Sequence, residues 1–171
     1  NDNISIDSLD SLFYHYGSDK AEIFKKTKKK GHGYSKFYKQ KLEKLQNHKI
    51  NILEIGSYAG ASAAAFVKYL PRSNIFCFDV NISNFEYKSK KIHAFGLDIK
   101  NQKKTTKTLN KIADKFKIIE FDIIIDDGSH NLSDILTALK FFFKYLRNKG
   151  LYVIEDFKHP NYYQHNKNIN H

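Results

Sequence analysis

Five short runs of β-branched and aromatic residues, separated by helical patterns, constrain the fold of this chain more than any other feature. The runs cover residues 50–55, 74–80, 91–97, 121–126 and 151–155. Most of them are almost continuously apolar, which is typical of strands that are buried on both faces. Strands that alternate with helices predict βαβ units, right-handed crossovers and a mostly parallel sheet.

The helical patterns between these strands cover residues 60–70, 105–117 and 132–146. The last of them carries a wide apolar stripe that is suited to packing against a sheet. Asn131, with Asp134 three residues later, indicates the N-cap of this helix. The predicted fold class is therefore α/β: a Rossmann-like, doubly wound, mostly parallel sheet with helices on both faces.

The N-terminal part of the chain differs from this alternating pattern. Residues 5–16 and 36–48 have helical patterns, and a polar, glycine-containing loop joins them. We predict that residues 1–48 form a helical cap on the sheet and that residues 49–171 form the core. The tail from 158 to 171 is polar and aromatic and predicts no regular element.

Length and composition exclude several classes of protein. A chain of 171 residues fits one domain, and its 41% hydrophobic and 15% aromatic content excludes disorder over most of its length. Cys77 is the only cysteine, which excludes an internal disulfide and a cysteine zinc site. No apolar run is long enough to span a bilayer and no signal-peptide pattern is present, which predicts a cytoplasmic protein. Because the chain begins at Asn1 and lacks methionine, we expect that residue 1 is not the start of the gene product.

The net charge of the chain is strongly positive. It carries 29 basic and 18 acidic residues, a net charge of +11, and residues 25–30 read Lys-Lys-Thr-Lys-Lys-Lys. A solvated, lysine-rich surface is the favoured interpretation, because Arg72 and Arg147 are the only arginines and nucleic-acid readers use arginine for bidentate base contacts. A binding surface for nucleic acid or another acidic polymer is the alternative.

Acidic residues concentrate where the predicted strands end. Seven of the 18 acidic residues lie there: Glu54, Asp79, Asp98, Asp126, Asp127, Glu155 and Asp156. The carboxyl ends of parallel strands meet at one edge of the sheet, where ligands bind in open α/β folds. This edge is therefore predicted to attract a cationic ligand, a metal ion or both.

The turn after the first predicted strand has the pattern Glu-x-Gly-x-x-x-Gly, from Glu54 through Gly56 to Gly60. It lacks the Gly-x-Gly-x-x-Gly pattern of nicotinamide and flavin sites. Glycines let the backbone pass close to a ligand, but an acid just before the first glycine would repel a pyrophosphate. The acid instead suits the ammonium and sulfonium groups of S-adenosylmethionine. Asp79, at the end of the second strand, is placed to accept hydrogen bonds from ribose hydroxyls.

Motifs over most of the chain resemble one family. They are Tyr-Gly-Ser-Asp-Lys (16–20), His-Gly-Tyr-Ser-Lys-Phe-Tyr (32–38), Leu-Glu-Ile-Gly (53–56), Phe-Asp-Ile-Ile-Ile-Asp-Asp-Gly-Ser-His (121–130) and Tyr-Val-Ile-Glu-Asp (152–156). With them the chain resembles class I S-adenosylmethionine-dependent methyltransferases. Within that class it is similar to the macrocin and mycinamicin sugar O-methyltransferases, a family that includes proteins labelled cephalosporin hydroxylase. The Asp-Asp-Gly-Ser-His and Ile-Glu-Asp elements are the most specific.

The resemblance implies a metal-assisted reaction and assigns residues to it. In that family the second Asp of Asp-Asp-Gly-Ser-His and the Glu-Asp pair bind a divalent metal, usually magnesium. The matching residues here are Asp127, Glu155 and Asp156. The family's histidine acts as general base, which implies His130. The implied activity is methyl transfer from S-adenosylmethionine to a hydroxyl of a small-molecule sugar or polyol.

The predicted cofactor contacts come from the strand ends and from the cap. They are Glu54, Gly56, Ser57, Asp79, Asp98 and Asp126 from the core, and Lys20 and Tyr34 from the cap. The two N-terminal motifs that contain Lys20 and Tyr34 are predicted to close over the cofactor or to line the acceptor pocket. The alternative for these motifs is a surface loop with its own hydrogen bonds.

The chain departs from the family in two places. Residues 96–98 read Gly-Leu-Asp, where the family has Gly-Asp-Gln, and five strands are predicted where class I methyltransferases have seven. The final antiparallel hairpin is therefore predicted to be missing. Two other functions stay open: an RNA methyltransferase, which lacks support from a base-binding motif, and a non-catalytic partner subunit. A homo-oligomer is compatible with each of these functions.

Overall fold

The structure is a computed structural model that describes residues 8–158. Its strands are β1 (Ile23–Phe24), β2 (Lys29–Lys30), β3 (Asn51–Ile55), β4 (Asn74–Asp79), β5 (Ile92–Gly96), β6 (Phe121–Asp126) and β7 (Leu146–Ile154). The first two form an antiparallel hairpin, and the other five form one sheet in the order β5-β4-β3-β6-β7. All pairings within that sheet are parallel, which confirms the predicted sheet.

Helices cover both faces of this sheet. They are α1 (Leu9–Tyr16), α2 (Ser35–Leu42), α3 (Ala61–Tyr69), α4 (Gln102–Phe116) and α5 (Leu132–Phe142). Residues of α1, α2 and α3 share one hydrophobic core with the sheet, and residues of α4 and α5 share a second core with its other face. This arrangement confirms the predicted doubly wound α/β fold.

Neighbouring side chains of each central strand enter different cores. Ile52 and Ile123 lie in the core beneath α1, α2 and α3, whereas Leu53 and Ile124 lie in the core beneath α4 and α5. All four side chains are at most 2% exposed. Because both faces are covered, these strands are continuously apolar rather than alternating apolar and polar.

Three aromatic rings join the N-terminal helices to the sheet. Phe13 of α1, Tyr38 of α2 and Phe66 of α3 are fully buried and meet edge to face, with ring centroids 5.1–6.2 Å apart. Edge-to-face contacts of this kind add to the free energy gained from burial. We therefore propose that the predicted cap folds as one unit with the sheet.

Several element boundaries differ from the predicted ones. The polar loop between α1 and α2 contains the β1–β2 hairpin. Asn131 is the N-cap residue of α5, as predicted, but its side chain makes no capping hydrogen bond; Ser129 donates to Asp134 of the first turn, at 2.5 Å. The predicted helix over 132–146 ends at Phe142 and is followed by one 3₁₀ turn. Positions 5–7 of the first predicted helix and 159–171 of the predicted tail lie outside the described residues.

The last strand is longer than the sequence pattern predicts. It begins at Leu146 rather than Leu151, and its register against β6 shifts between Phe121 and Ile123. The early part of β7 contains Arg147, whose guanidinium binds the Asp122 carboxylate at 2.5 Å. A polar, exposed and bulged segment of this kind carries no hydrophobic pattern that sequence analysis could detect.

Replacement of Phe66 by Ala tests whether the N-terminal helices belong to the folding unit. Removal of a fully buried ring that contacts Phe13 and Tyr38 should lower the free energy of unfolding by about 3–5 kcal/mol, because the cavity cannot close completely. Urea denaturation followed by circular dichroism measures the loss. Phe37→Ala, at a half-exposed position of α2, is the control and should cost much less. Hydrogen exchange that releases α1 and α2 while the sheet stays protected would contradict the proposal.

Candidate active site at the carboxyl edge of the sheet

Strand register brings the predicted acids to one edge of the sheet. Asp126, the last residue of β6, pairs with Ile55 of β3 on one side and with Ile154 of β7 on the other. The next residues are held to these strand ends by backbone hydrogen bonds: Asp127 N–H donates to the Ile55 carbonyl, and Glu155 N–H donates to the Asp126 carbonyl, both at 2.9 Å. The side chains that follow β6 and β7 are therefore neighbours.

A buried lysine lies between two of these acids. The Lys20 ammonium donates to Asp127 Oδ2 at 2.5 Å and to Glu155 Oε2 at 2.6 Å, and its side chain is only 3% exposed. Burial by itself lowers the pKa of Lys20, but attraction by Glu155 and Asp127 outweighs it and raises that pKa. The lysine is therefore a permanent internal cation of the site.

The second Glu155 oxygen accepts a hydrogen bond from the Tyr38 hydroxyl, so both oxygens of this carboxylate are engaged. Burial raises the pKa of Glu155, and the Lys20 ammonium opposes that rise. Sequence analysis assigned no role to Tyr38, although it ends the His-Gly-Tyr-Ser-Lys-Phe-Tyr motif. A tyrosine on the apolar face of α2 is expected to be a core residue. In the structure the Tyr38 ring is buried in the core, and only its hydroxyl reaches the site.

A second cluster at this edge consists of Asp127, His130 and Asp156, which direct possible metal-ligand atoms toward one another. One atom each of Asp127, His130 and Asp156 lies within 4.8 Å of the others, and His130 Nε2 is 3.9 Å from Asp127 Oδ1 and from Asp156 Oδ2. His130 and Asp156 both have left-handed backbone, with φ of 57° and 52°. Such conformations are unfavourable for residues other than glycine and concentrate at functional sites.

The remaining oxygen of Asp156 is fixed by the cap. Tyr34 donates its hydroxyl hydrogen to Asp156 Oδ1 at 2.5 Å, and His32 Nδ1 lies 2.9 Å from the same oxygen. Burial by itself raises the pKa of Asp156, but the Tyr34 hydrogen bond and the attraction of His32 outweigh it and hold that pKa below its ordinary value. Burial, and then the Asp156 contact, raises the pKa of Tyr34 to about 12.

The donor set fits a hard divalent ion. Asp127 and Asp156 offer carboxylate oxygens, and their side chains are 21% and 23% exposed, so water can reach an ion held between them. Of the three ligands implied by the resemblance, the structure brings Asp127 and Asp156 together with His130. Glu155 is turned instead toward Lys20 and Tyr38.

A cavity of about 410 Å³ opens beside this cluster, between the strand ends and α5. The predicted residues Gly56, Asp79, Asp98, Asp126 and Asp127 line it together with apolar side chains of α5. Asp126 is only 4% exposed, and its Oδ2 has no hydrogen-bond partner among the described residues. Burial raises the pKa of Asp126 to about 6. An unpaired buried carboxylate oxygen in a cavity wall indicates a missing hydrogen-bond donor.

A second cavity, of about 280 Å³, shares Gly56, Tyr58 and Asp127 with the first. Its other walls include the Tyr-Gly-Ser-Asp-Lys motif, the β1–β2 hairpin, Ser57, the start of α3 and Glu86. Gly56 has φ of 83°, and a Cβ there would overlap the carbonyl of Asp127, so only glycine fits where the cavities meet. The turn is tied to β4 because Tyr58 N–H donates to Asp79 Oδ2 at 2.8 Å.

Glu54 lies behind this turn rather than in either cavity wall. It is completely buried, and one of its oxygens accepts a hydrogen bond from the Ser62 hydroxyl at 2.5 Å. Burial raises the pKa of Glu54, while Lys20 and Ser62 oppose the rise. Its predicted contact with a cofactor stays a prediction.

Replacement of Lys20 by Met tests its role as internal cation. The variant should lose about 3–5 kcal/mol of unfolding free energy, because the buried Glu155 carboxylate and the partly buried Asp127 carboxylate would lose their cation. Added Mg²⁺ should restore more stability to the variant than to the parent protein, because the ion would supply the lost positive charge. Thermal and urea unfolding with and without the ion measure both effects. Lys36→Met, at an exposed position of α2, is the control, and equal stability of the two variants would contradict the assignment.

None of the helices within residues 8–158 is long and apolar enough to cross a membrane.

The chain is similar in sequence to known sugar O-methyltransferases. Mycinamicin VI 2''-O-methyltransferase of Micromonospora griseorubida is 29% identical over 73% of this chain and 31% of its own length. L-olivosyl-oleandolide 3-O-methyltransferase of Streptomyces antibioticus is 30% identical over 86% of this chain and 36% of its own length.

Solved structures of MycE methyltransferase, from the mycinamycin biosynthetic pathway, have the same fold. The complex with Mg, SAH and mycinamycin VI is 25% identical, with a TM-score of 0.70 over 89% of this chain and 40% of that chain. The complex with Mg and SAH is 26% identical, with a TM-score of 0.70 over 87% of this chain and 37% of that chain. The chain thus spans about a third of the length of these relatives.

The family described as "Methyltransferase domain" matches residues 53–157. The match begins in β3, before the Gly56 turn, and ends just after Asp156, so it contains both strand-end acid pairs. It confirms the resemblance that the motifs indicated: the chain belongs to the methyltransferase domain family.

Proposed function

We propose that this domain transfers a methyl group from S-adenosylmethionine to a hydroxyl of a sugar or another polyol, with the assistance of a divalent ion such as Mg²⁺. The observation that carries the proposal is the meeting of two cavities at Gly56, directly beside the Asp127–His130–Asp156 cluster. The named activities of the relatives, which are sugar O-methyltransferases, support the same reaction class.

The two cavities suit the two ends of the cofactor. The 410 Å³ cavity has apolar walls for an adenine ring, and Asp79 lies in its wall to accept hydrogen bonds from ribose hydroxyls. The 280 Å³ cavity contains charged side chains of both signs, among them Lys26 and Glu86, which suit the ammonium and carboxylate of an amino acid. A cofactor that spans both cavities would pass Gly56, so its sulfonium would lie close to Asp127.

Asp127 and Asp156 are proposed to hold the divalent ion, because each directs one carboxylate oxygen toward His130. A bound ion would lower the pKa of a substrate hydroxyl. Glu155, the third ligand implied by the resemblance, would have to release Lys20 or Tyr38 before it could bind. We expect water and substrate oxygens to supply the other ligands, since magnesium usually keeps several waters.

His130 is proposed to accept the proton of the acceptor hydroxyl. Its side chain is about one-third exposed, so an acceptor can reach it, and its Nε2 lies 3.9 Å from an oxygen of each proposed ion ligand. The same nitrogen cannot bind the ion and accept a proton at once. Because magnesium prefers oxygen ligands, the base is the favoured role.

Binding of S-adenosylhomocysteine tests the proposed cofactor site. Isothermal titration should detect binding to the parent protein, and Asp79→Asn should weaken it about tenfold or more, a loss of about 1.4 kcal/mol, because a ribose hydroxyl loses its carboxylate acceptor. Glu120→Gln removes the same charge from an exposed position and should bind like the parent.

Failure of the parent protein to bind S-adenosylhomocysteine at millimolar concentration would contradict the proposed function. Binding without methyl transfer to any of a panel of sugars, in the presence of Mg²⁺, would favour the non-catalytic subunit instead.

A further inference from the structure

A shallow, lysine-rich groove lies between α4 and the end of α5, and none of its lysines is among the residues assigned to methyl transfer. Its volume is about 690 Å³, and four lysines line it: Lys103, Lys107, Lys111 and Lys144. Phe141 forms part of its α5 side and also lines the 410 Å³ cavity, so the groove opens beside the proposed cofactor site.

The α4 side of the groove consists of two parallel rows of side chains. Lys103, Lys107 and Lys111 follow one another at four-residue intervals, and Gln102, Thr106 and Asn110 do the same directly beside them. Residues four apart lie on the same helix face, about 6 Å from one to the next along the axis. The groove therefore presents a line of cations next to a line of neutral hydrogen-bonding groups.

No ion pair with a residue in the range 8–158 neutralises this row of lysines. Lys103, Lys107 and Lys111 are exposed and form no ion pair with a described residue, and Asp114 is the one acid in the lining. Like charges four residues apart destabilise a helix. Five of the 15 residues of α4 are lysine, against 29 lysines and arginines in the 171 residues of the chain. The row thus concentrates charge at a cost to helix stability, which indicates a polyanionic partner.

The chemistry of the lining distinguishes between kinds of polyanion. Readers of nucleic-acid bases use arginine forks or exposed aromatic platforms. No arginine lines this groove, and its one aromatic side chain, Phe141, is half-buried with the Lys144 ammonium 5.0 Å from the ring centroid. Lysines act as point charges that accept carboxylates in many geometries, and the amide and hydroxyl row suits sugar hydroxyls.

We propose that the α4–α5 groove binds an acidic polysaccharide chain, with the lysine row on its carboxylates and the Gln102–Thr106–Asn110 row on its hydroxyls. This goes beyond the proposed methyl transfer, because none of the polar residues of the groove lines the cofactor cavity, and they would anchor a glycan by electrostatics. Docking of a glycan here would raise the local concentration of sugar hydroxyls near the site.

The test compares two charge-reversed variants of equal net charge. Lys107→Glu with Lys111→Glu changes the groove, and Lys39→Glu with Lys41→Glu changes exposed lysines of α2 on the opposite face of the sheet. The probe is a fluorescently labelled galacturonic acid oligomer, titrated at low and at physiological salt, with a neutral maltodextrin oligomer as the uncharged comparison. The groove variant should bind the acidic probe about tenfold more weakly or worse, while the α2 variant should bind like the parent.

Controls keep the result independent of folding and of the proposed function. The pair Lys107→Gln with Lys111→Gln removes the charges without reversing them and should show an intermediate loss. Binding of S-adenosylhomocysteine is measured for each variant and should be unchanged, since no substituted residue lines the cofactor cavity. Failure of the parent protein to bind S-adenosylhomocysteine would count against the methyltransferase proposal and not against glycan binding by the groove.

Three outcomes would overturn the inference. Equal weakening by the groove and α2 variants would mean that net charge alone attracts the probe. Absence of binding of the galacturonic acid oligomer by the parent protein at low salt would mean that the groove does not bind acidic polysaccharide. Tighter, groove-dependent binding of single-stranded oligothymidylate than of the acidic oligomer would assign the surface to nucleic acid instead.

Discussion

The contact of the Lys20 ammonium with Asp127 and Glu155 is the interaction on which the rest of this site depends. Parallel strands deliver their following acids to the same edge, and three close carboxylates would repel one another if no cation lay between them. Lys20 supplies that cation from the N-terminal segment, at 2.5 and 2.6 Å. With Glu155 fixed in this way, the free faces of Asp127 and Asp156 point toward His130 and toward solvent.

The N-terminal helices are therefore part of the site as well as part of the core. Tyr38 contributes its ring to the core beneath α3 and its hydroxyl to Glu155, and Tyr34 holds Asp156. Packing on one face of the sheet thus sets the geometry of the acids at its edge. The other face, beneath α4 and α5, forms the wall of the 410 Å³ cavity. The site lies where these two packed layers meet, at the turn that only Gly56 can form.

The sequence allowed the sheet and the position of the acids to be predicted, because both follow from local patterns. Continuous apolar runs identify buried strands, and a residue that follows a strand must lie at its end. The partners of those acids could not be predicted in this way. Lys20 precedes Asp127 by 107 positions and Tyr38 precedes Glu155 by 117 positions, so their contacts depend on how the cap packs. For the same reason, the orientation of Glu155 toward Lys20, rather than toward Asp156, is visible only in three dimensions.

The central claim is that the edge formed by Asp127 and Asp156 binds one divalent ion beside the cofactor. Anomalous diffraction from crystals grown with S-adenosylhomocysteine and Mn²⁺ tests it most directly, because Mn²⁺ replaces Mg²⁺ in oxygen sites and identifies itself by its anomalous signal. The account predicts one anomalous peak within bonding distance, about 2.0–2.2 Å, of an oxygen of each of these two carboxylates. Ordered S-adenosylhomocysteine beside an edge with no such peak, or a peak bound elsewhere, would contradict it.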